Sequence, residues 1–186
     1  LEWLDSCTKA YEIRTREELA SCVWMRKLWE DAGHLMDQIT YLQERCKEVI
    51  YSPGGPHMYG ESLEQDLLFR RDLEEAFAAR DFDGCRVLLD GWKPKALSRK
   101  KDDSVQEDKR ELAKNLRDQA KEAVKKLREN YFYETTEEVL EELELCREPM
   151  QELIRLTRQF IEVFSEKKRQ KNIVDFTDME HFSLEI

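Results

Sequence analysis

Residues 28–49, Leu28-Trp-Glu-Asp-Ala-Gly-His-Leu-Met-Asp-Gln-Ile-Thr-Tyr-Leu-Gln-Glu-Arg-Cys-Lys-Glu-Val49, place an apolar side chain at alternating steps of four and three. Leu28, Ala32, Leu35, Ile39, Leu42, Cys46 and Val49 therefore share one face of an α-helix with heptad spacing. No proline interrupts the run and its one glycine is Gly33. Just upstream, Thr15-Arg-Glu-Glu18 has the form of a capping box, in which hydroxyl and carboxylate satisfy each other's backbone N–H groups. A helix from Thr15 to about Ile50 is expected. At ~1.5 Å per residue it reaches on the order of 50 Å.

The same signals recur outward from this stretch. A short helix is expected from Glu2 to Ile13, carrying Trp3, Leu4, Cys7 and Tyr11. Tyr51–Gly60, with two prolines and three glycines, is a loop. Ser62 with Gln65 offers a cap for a helix through Leu63, Leu67, Leu73 and Phe77 to about Arg80. Asp81–Gly84 turns the chain into a short helix ending at Gly91–Pro94, and the polar stretch up to Asp103 is expected to be mobile. Ser104-Val-Gln-Glu107 and Thr135-Thr-Glu-Glu138 are further capping boxes, opening one helix to about Phe132 and a second in which Leu140, Leu143, Met150, Ile154, Thr157, Ile161 and Phe164 keep heptad-like steps. Pro149 lies inside that second pattern and predicts a kink, or a break with a new helix starting there. The expected fold is all-α: an elongated bundle of long antiparallel helices with short connecting helices, residues 1–186 making a single helical subdomain.

Composition narrows the function. The chain has 186 residues, 39% of them charged, and a net charge of −10, which opposes autonomous tight binding to DNA. Five cysteines without a Cys-x-x-Cys pair suit a reducing cytoplasm and give no zinc site. No apolar run approaches the ~20 residues of a membrane helix. There is no Gly-x-x-x-x-Gly-Lys-Ser/Thr phosphate loop and no acidic pair after an apolar strand, so ATP and Mg²⁺ have no evident place here. Carboxylate pairs such as Glu141 with Glu142 lack a histidine or serine neighbour, and no catalytic or metal-binding residue is assigned. The four tryptophans are read as core side chains rather than base-stacking platforms.

Charge is segregated along the chain. Residues 93–133 hold thirteen Lys and Arg against eight Asp and Glu, whereas residues 134–152 hold eight Glu and one Arg. On the helix after Ser104, Leu112, Leu116, Ala120, Ala123, Leu127 and Tyr131 form an apolar face, with Glu111, Asp118, Glu122 and Glu129 roughly opposite. Between them climbs a line of six cations: Arg110, Lys114, Arg117, Lys121, Lys125 and Arg128. Such a line could track phosphates. It could equally be a solvated face stitched by pairs worth a few tenths of a kcal/mol each.

Near the C-terminus, Asp175-Phe176-Thr177-Asp178-Met179-Glu180-His181 follows the basic run Lys167-Lys168-Arg169-Gln170-Lys171. This resembles the Asp-Phe-x-Asp-Leu segment that UvrD-type superfamily 1 helicases carry ahead of their Walker B strand; Glu180-His181 narrows the resemblance to AddA/RexA-type subunits of bacterial ATP-dependent helicase-nucleases. At the other end, Glu2-Trp3-Leu4-Asp5 with Tyr11-Glu12 is similar to the segment that opens the region between early and late ATPase motifs. Met179 stands where leucine is usual, a volume-conserving change. Asp175 also reads simply as an N-cap.

The resemblance implies an internal fragment covering mainly the helical 1B subdomain, residues 172–186 beginning the return into the motor core. It further implies contact with duplex DNA, association with the remaining motor and nuclease domains and with a second subunit of AddB/RexB type, and ATP and Mg²⁺ bound elsewhere in the parent. A coiled-coil interaction module is the alternative. The fragment alone is expected to be inactive.

Overall fold

The computed structural model describes residue 9 and residues 11–184. Its helices are α1 (Arg16–Ser21), α2 (Val23–Tyr51), α3 (Gly60–Ala78), α4 (Phe82–Gly91), α5 (Glu107–Tyr131), α6 (Thr136–Lys171) and α7 (Phe176–Leu184), with a 3₁₀ turn at His57–Tyr59. No strand occurs among the described residues, so the fold is all-α. The chain divides into two compact units, one of Thr15–Leu140 and one that gathers Glu141–Ile186 with the N-terminal residues up to Arg14. Most of the short helix expected at Glu2–Ile13 lies outside the described residues.

In the unit of residues 15–140, the Thr15–Glu18 capping box forms, each side chain accepting from the other residue's N–H at 3.2 and 3.1 Å. The helix it opens ends after six residues, because Cys22 turns extended (φ −70°, ψ 161°) and its Sγ caps the next helix at Met25 N. The expected single helix is therefore two. The Ser104–Glu107 box does not form: Ser104 instead bonds Asp102 Oδ1 from both its N–H and its hydroxyl, and α5 starts at Glu107 without a side-chain cap. Ser62 likewise lies inside α3, not at its start, and its hydroxyl donates to Ala96 O. Local hydroxyl chemistry names candidate starts; competing acceptors choose among them.

α2 and α5 run antiparallel, since Cys46 Sγ meets Ala113 O at 3.4 Å toward one end while Trp29 packs on Phe132 toward the other. The buried residues of α2 are Met25, Trp29, Ala32, Met36, Ile39, Leu42, Gln43, Cys46 and Ile50. They share Ala32, Ile39, Leu42 and Cys46 with the expected stripe, while Leu28, Leu35 and Val49 flank it half-buried. On α5 the buried residues are Ala113, Arg117, Ala120, Ala123, Val124 and Leu127, so the core face is rotated from the expected one and Leu112 is left exposed. The alanines let the helix axes approach. Full burial of side chains such as Ile39, Ile50 and Leu127 contributes roughly 1.5–3 kcal/mol each.

α3 folds back along α2, its Asp66 carbonyl accepting from Gln43 and its Arg70 bonding Thr40 O and Glu44. Trp29 stands edge-on to Phe77 at 4.8 Å, and Phe132 collects Trp29, Phe77 and Phe82 around it. Reversal between α3 and α4 needs Arg80 in the left-handed region (φ 56°); its guanidinium lies 5.2 Å over the Trp29 ring, a cation–π contact that offsets strain of order 1 kcal/mol. In the Tyr51–Gly60 loop, a Cβ on Gly55 would meet Val49 O at 2.2 Å, so only glycine fits there.

In the other unit, α6 continues through Pro149 instead of restarting at it. Its buried residues are Leu143, Arg147 and Ile154, with Arg147 donating to Tyr11 O and Ile13 O. Leu145, Leu153, Leu156, Phe160, Val163 and Phe164 are exposed.

Candidate nucleic-acid interface

The line of six cations on α5 resolves into three kinds of residue. Arg117 is buried at 4% exposure and is not a surface charge. Its Nε donates to Asp66 Oδ2 at 2.6 Å, and its Nη2 donates to Asp66 Oδ1 at 3.3 Å and to Lys95 O at 2.7 Å. The position 117 falls on the core stripe between Ala113 and Ala120, which is why a line drawn on helical spacing alone misplaces it. Asp66, itself 2% exposed, is pushed above its ordinary pKa by burial, and the Arg117 guanidinium holds that rise back. A two-point guanidinium pair is what such burial demands, because either charge alone would be unsolvated.

Arg110, Lys121, Lys125 and Arg128 form the second kind, each paired with a carboxylate: Glu107 at 3.1 Å, Asp118 at 2.5 Å, Glu129 at 3.9 Å and Asp90 at 2.5 Å. These are surface pairs, worth about 0–1 kcal/mol and readily exchanged for another anion. Lys114 is exposed and makes no ion pair among the described residues. Five of the six candidates thus remain at the surface.

The segment between α4 and α5, expected to be mobile, is held to the bundle through residues 92–97 and again at Gln106. Trp92 stacks on Phe69 at 5.0 Å, Arg117 holds Lys95 O, Ser62 holds Ala96 O at 2.9 Å, Leu97 packs on the core cluster around Cys46 and Leu63, and Gln106 N donates to Gly54 O at 2.9 Å. Lys93, Arg99, Lys100 and Lys101 point outward from it as exposed residues. Only a run of basic residues after Pro94 signalled this surface in the sequence; the contacts that fix it come from α3 and α5 and have no local signature.

The C-terminal motif forms the start of α7. Asp178 N donates to Asp175 Oδ1 at 2.9 Å and Asp175 N donates to Asp178 Oδ2 at 3.0 Å, a reciprocal cap. Lys168 Nζ joins both carboxylates, at 3.2 Å to Asp175 and 2.6 Å to Asp178, and these bonds hold the Asp178 carboxyl below its ordinary pKa. Phe176, Met179 and Glu180 are exposed; the His181 side chain lies outside the described residues. Among the described residues no three His, Cys, Asp or Glu converge as a metal-ion site, and no helix is long and apolar enough to cross a membrane.

Basic residues gathered on α5 and the segment before it and, in the other unit, a capped Asp-Phe-x-Asp-Met helix start define the class of protein: an all-α chain with charge segregated by element. Comparison with known proteins gives the particular relationship. Every residue of the chain aligns with the A subunit of the ATP-dependent helicase/nuclease of Natranaerobius thermophilus at 31% identity, of Geobacillus kaustophilus at 30%, and of Lachnoclostridium phytofermentans at 27%. The chain spans only 14–15% of the length of these relatives. It is homologous over its whole length to one part of bacterial helicase/nuclease A subunits, as the resemblance implied. No family model matches the chain.

Proposed function

We propose that residues 1–186 serve as one non-catalytic, DNA-contacting arm, of the 1B type, within an AddA/RexA-type helicase/nuclease chain, which processes double-strand ends for recombinational repair at the expense of ATP. The parent acts in the cytoplasm on duplex DNA, together with a second subunit of AddB/RexB type. ATP and Mg²⁺ bind in its motor domains, outside this chain, and residues 172–186 lead back toward that motor. The observation that carries the reading is the end-to-end similarity to helicase/nuclease relatives combined with positive charge gathered on α5 and the segment before it.

The test is made in a full-length AddA/RexA-type protein carrying this segment. Changing Lys114, Lys121 and Lys125 together to Glu is expected to weaken duplex binding and to lower the slope of log affinity against log salt by up to about three. Arg117 stays untouched in this variant, because its burial would confound binding with folding. An unchanged slope removes α5 from the interface.

A coiled-coil interaction module is the second reading, favoured by the exposed apolar seam of α6 at Leu153, Leu156, Phe160 and Val163. Sedimentation separates the two: the module forms a defined dimer, whereas the arm stays monomeric at micromolar concentration.

A further inference from the structure

We propose that the helix-free segment Lys93–Lys101, fastened to the bundle by the buried Asp66–Arg117 pair, is the surface that receives a phosphodiester backbone, with Arg117 as its positioning residue. The proposal rests on the DNA-contacting reading above and relocates its centre. Between Asp90 and Asp102 the chain has no acidic residue and five basic ones. Lys95 is taken by Glu61, whose carboxyl also feels the Lys100 charge, while Lys93, Arg99, Lys100 and Lys101 are exposed and make no ion pair among the described residues. On α5, by contrast, four of the five surface cations of the predicted line are already paired. A phosphate reaching one of those four must displace a carboxylate; one reaching the exposed cations of the segment need not.

Geometry adds to charge. An extended chain advances at most ~3.3–3.6 Å per residue, so Lys93 to Lys101 spans under about 30 Å, commensurate with a strand that carries one phosphate per ~3.4 Å of axis. The backbone is held from beneath, with Arg117 on Lys95 O, Ser62 on Ala96 O and Leu97 inserted against the core. Lys114 and Lys121, three residues before and four after Arg117, lie on the same side of α5 and extend the patch. Fastening a flexible basic segment before it meets its ligand lowers the ordering cost of binding. In a chain of net charge −10 such local focusing is what an anionic partner needs.

Two measurements on the 186-residue chain test surface and fastening separately. In the first, Lys93, Arg99, Lys100 and Lys101 are all changed to Ser, and anisotropy of a labelled duplex of about twenty base pairs, a length above the ~eight phosphates the segment spans, is followed from low to physiological salt. The salt slope is expected to fall by up to about 3.6, against less than half of that for Lys114→Ser with Lys125→Ser. An unchanged slope overturns the surface, and so does displacement of the duplex by poly-glutamate at equal charge, which would make the partner an acidic polypeptide.

In the second, Asp66→Leu with Arg117→Met replaces the pair by apolar side chains, and limited trypsin digestion is read by mass at each site. Cleavage after Lys95 is expected to rise roughly tenfold relative to cleavage after Arg99, the size of one lost charge-assisted hydrogen bond. Should the double variant fail to fold, Arg117→Lys keeps the charge beside Asp66 but loses the fork to Lys95 O, and the same rise is expected. An unchanged ratio in a folded variant overturns the fastening role. A wild-type chain that binds no duplex at low salt overturns the DNA reading and the surface with it, while the cleavage ratio still decides what Arg117 does.

Discussion

α2 buries Met25, Trp29, Ala32, Met36, Ile39, Cys46 and Ile50 at heptad steps, whereas α6 carries Leu153, Leu156, Phe160 and Val163 at the same steps and leaves them exposed. Both seams have the spacing of a packed helix, and both helices are long. What separates them is the facing surface: α5 offers α2 a stripe of Ala113, Ala120, Ala123, Val124 and Leu127, and α3 adds Leu63 and Leu73. α6 has only Leu143, Arg147 and Ile154 buried, and its outer aromatics shield one another, Phe160 stacking on Phe164 at 5.4 Å with Lys168 4.8 Å over the Phe164 ring. Period identifies a face that can be covered; only a partner covers it.

The largest expected effect strikes this contrast directly. Trp29→Ala removes a ring in contact with Phe77, Phe132 and the Arg80 guanidinium and is expected to cost about 3–5 kcal/mol in denaturant unfolding. Phe160→Ala, at a position 65% exposed, is expected to stay within about 0.5 kcal/mol. A loss above ~1.5 kcal/mol at Phe160 would mean that its seam is covered after all, and the contrast would collapse.

Next in size is Pro149→Ala in α6. Proline cannot donate to the carbonyl four residues back, so alanine restores that bond and relieves the ring clash, a gain of up to about 3 kcal/mol. The equivalent change has no target in α2, which contains no proline. Rising helix content and a higher unfolding midpoint in Pro149→Ala are the expected results; an unchanged midpoint would show that the surroundings already compensate the proline.

Fold class was readable because it rests on local information. Apolar residues at steps of three and four, together with loop residues at 51–60 and 91–94, are enough to place the long helices. Finer features were hidden wherever one residue had two satisfactory partners. Ser104 could cap Glu107 or bond Asp102, and Ser62 could cap α3 or hold Ala96 O; the winners depend on chain segments brought in by the fold. Arg117 shows the same limit at the candidate interface. Helical spacing put it in line with Lys114 and Lys121, but an acid from α3, buried beside it, turned a surface cation into the support of a neighbouring segment. The signal that could have exposed it is a charge at the step between Ala113 and Ala120, on the stripe that continues to Val124 and Leu127.

Capping sharpens the comparison further, at smaller energies. Thr135 accepts from Glu138 N at 3.1 Å at the start of α6, so Thr135→Ala is expected to cost about 1 kcal/mol. Ser104→Ala is expected to cost α5 almost nothing through capping, because Ser104 is not its cap. Equal losses at the two sites, measured by urea unfolding, would show that the Asp102–Ser104 turn stabilises α5 as strongly as a true cap does.

The smallest expected effect is a pH dependence at that same helix start. Glu138 accepts from Thr135 N at 2.7 Å and from the Thr135 hydroxyl at 2.9 Å, and these bonds hold its carboxyl below the ordinary glutamate value. A carboxyl whose pKa is depressed by folding contributes stability that is complete above the unfolded value and lost as pH falls through the folded one. The start of α6 is therefore expected to weaken on acidification through the carboxylate range, while α2, capped by Cys22 Sγ and with no acidic residue in its first turn, has no such local dependence. Glu138→Gln keeps a side-chain acceptor for Thr135 N but cannot titrate. The difference in unfolding midpoint between wild type and Glu138→Gln should accordingly be largest near neutral pH and shrink as the solution is made acidic. A difference that stays constant with pH would assign the box to hydrogen bonding alone, with no contribution from the carboxylate charge.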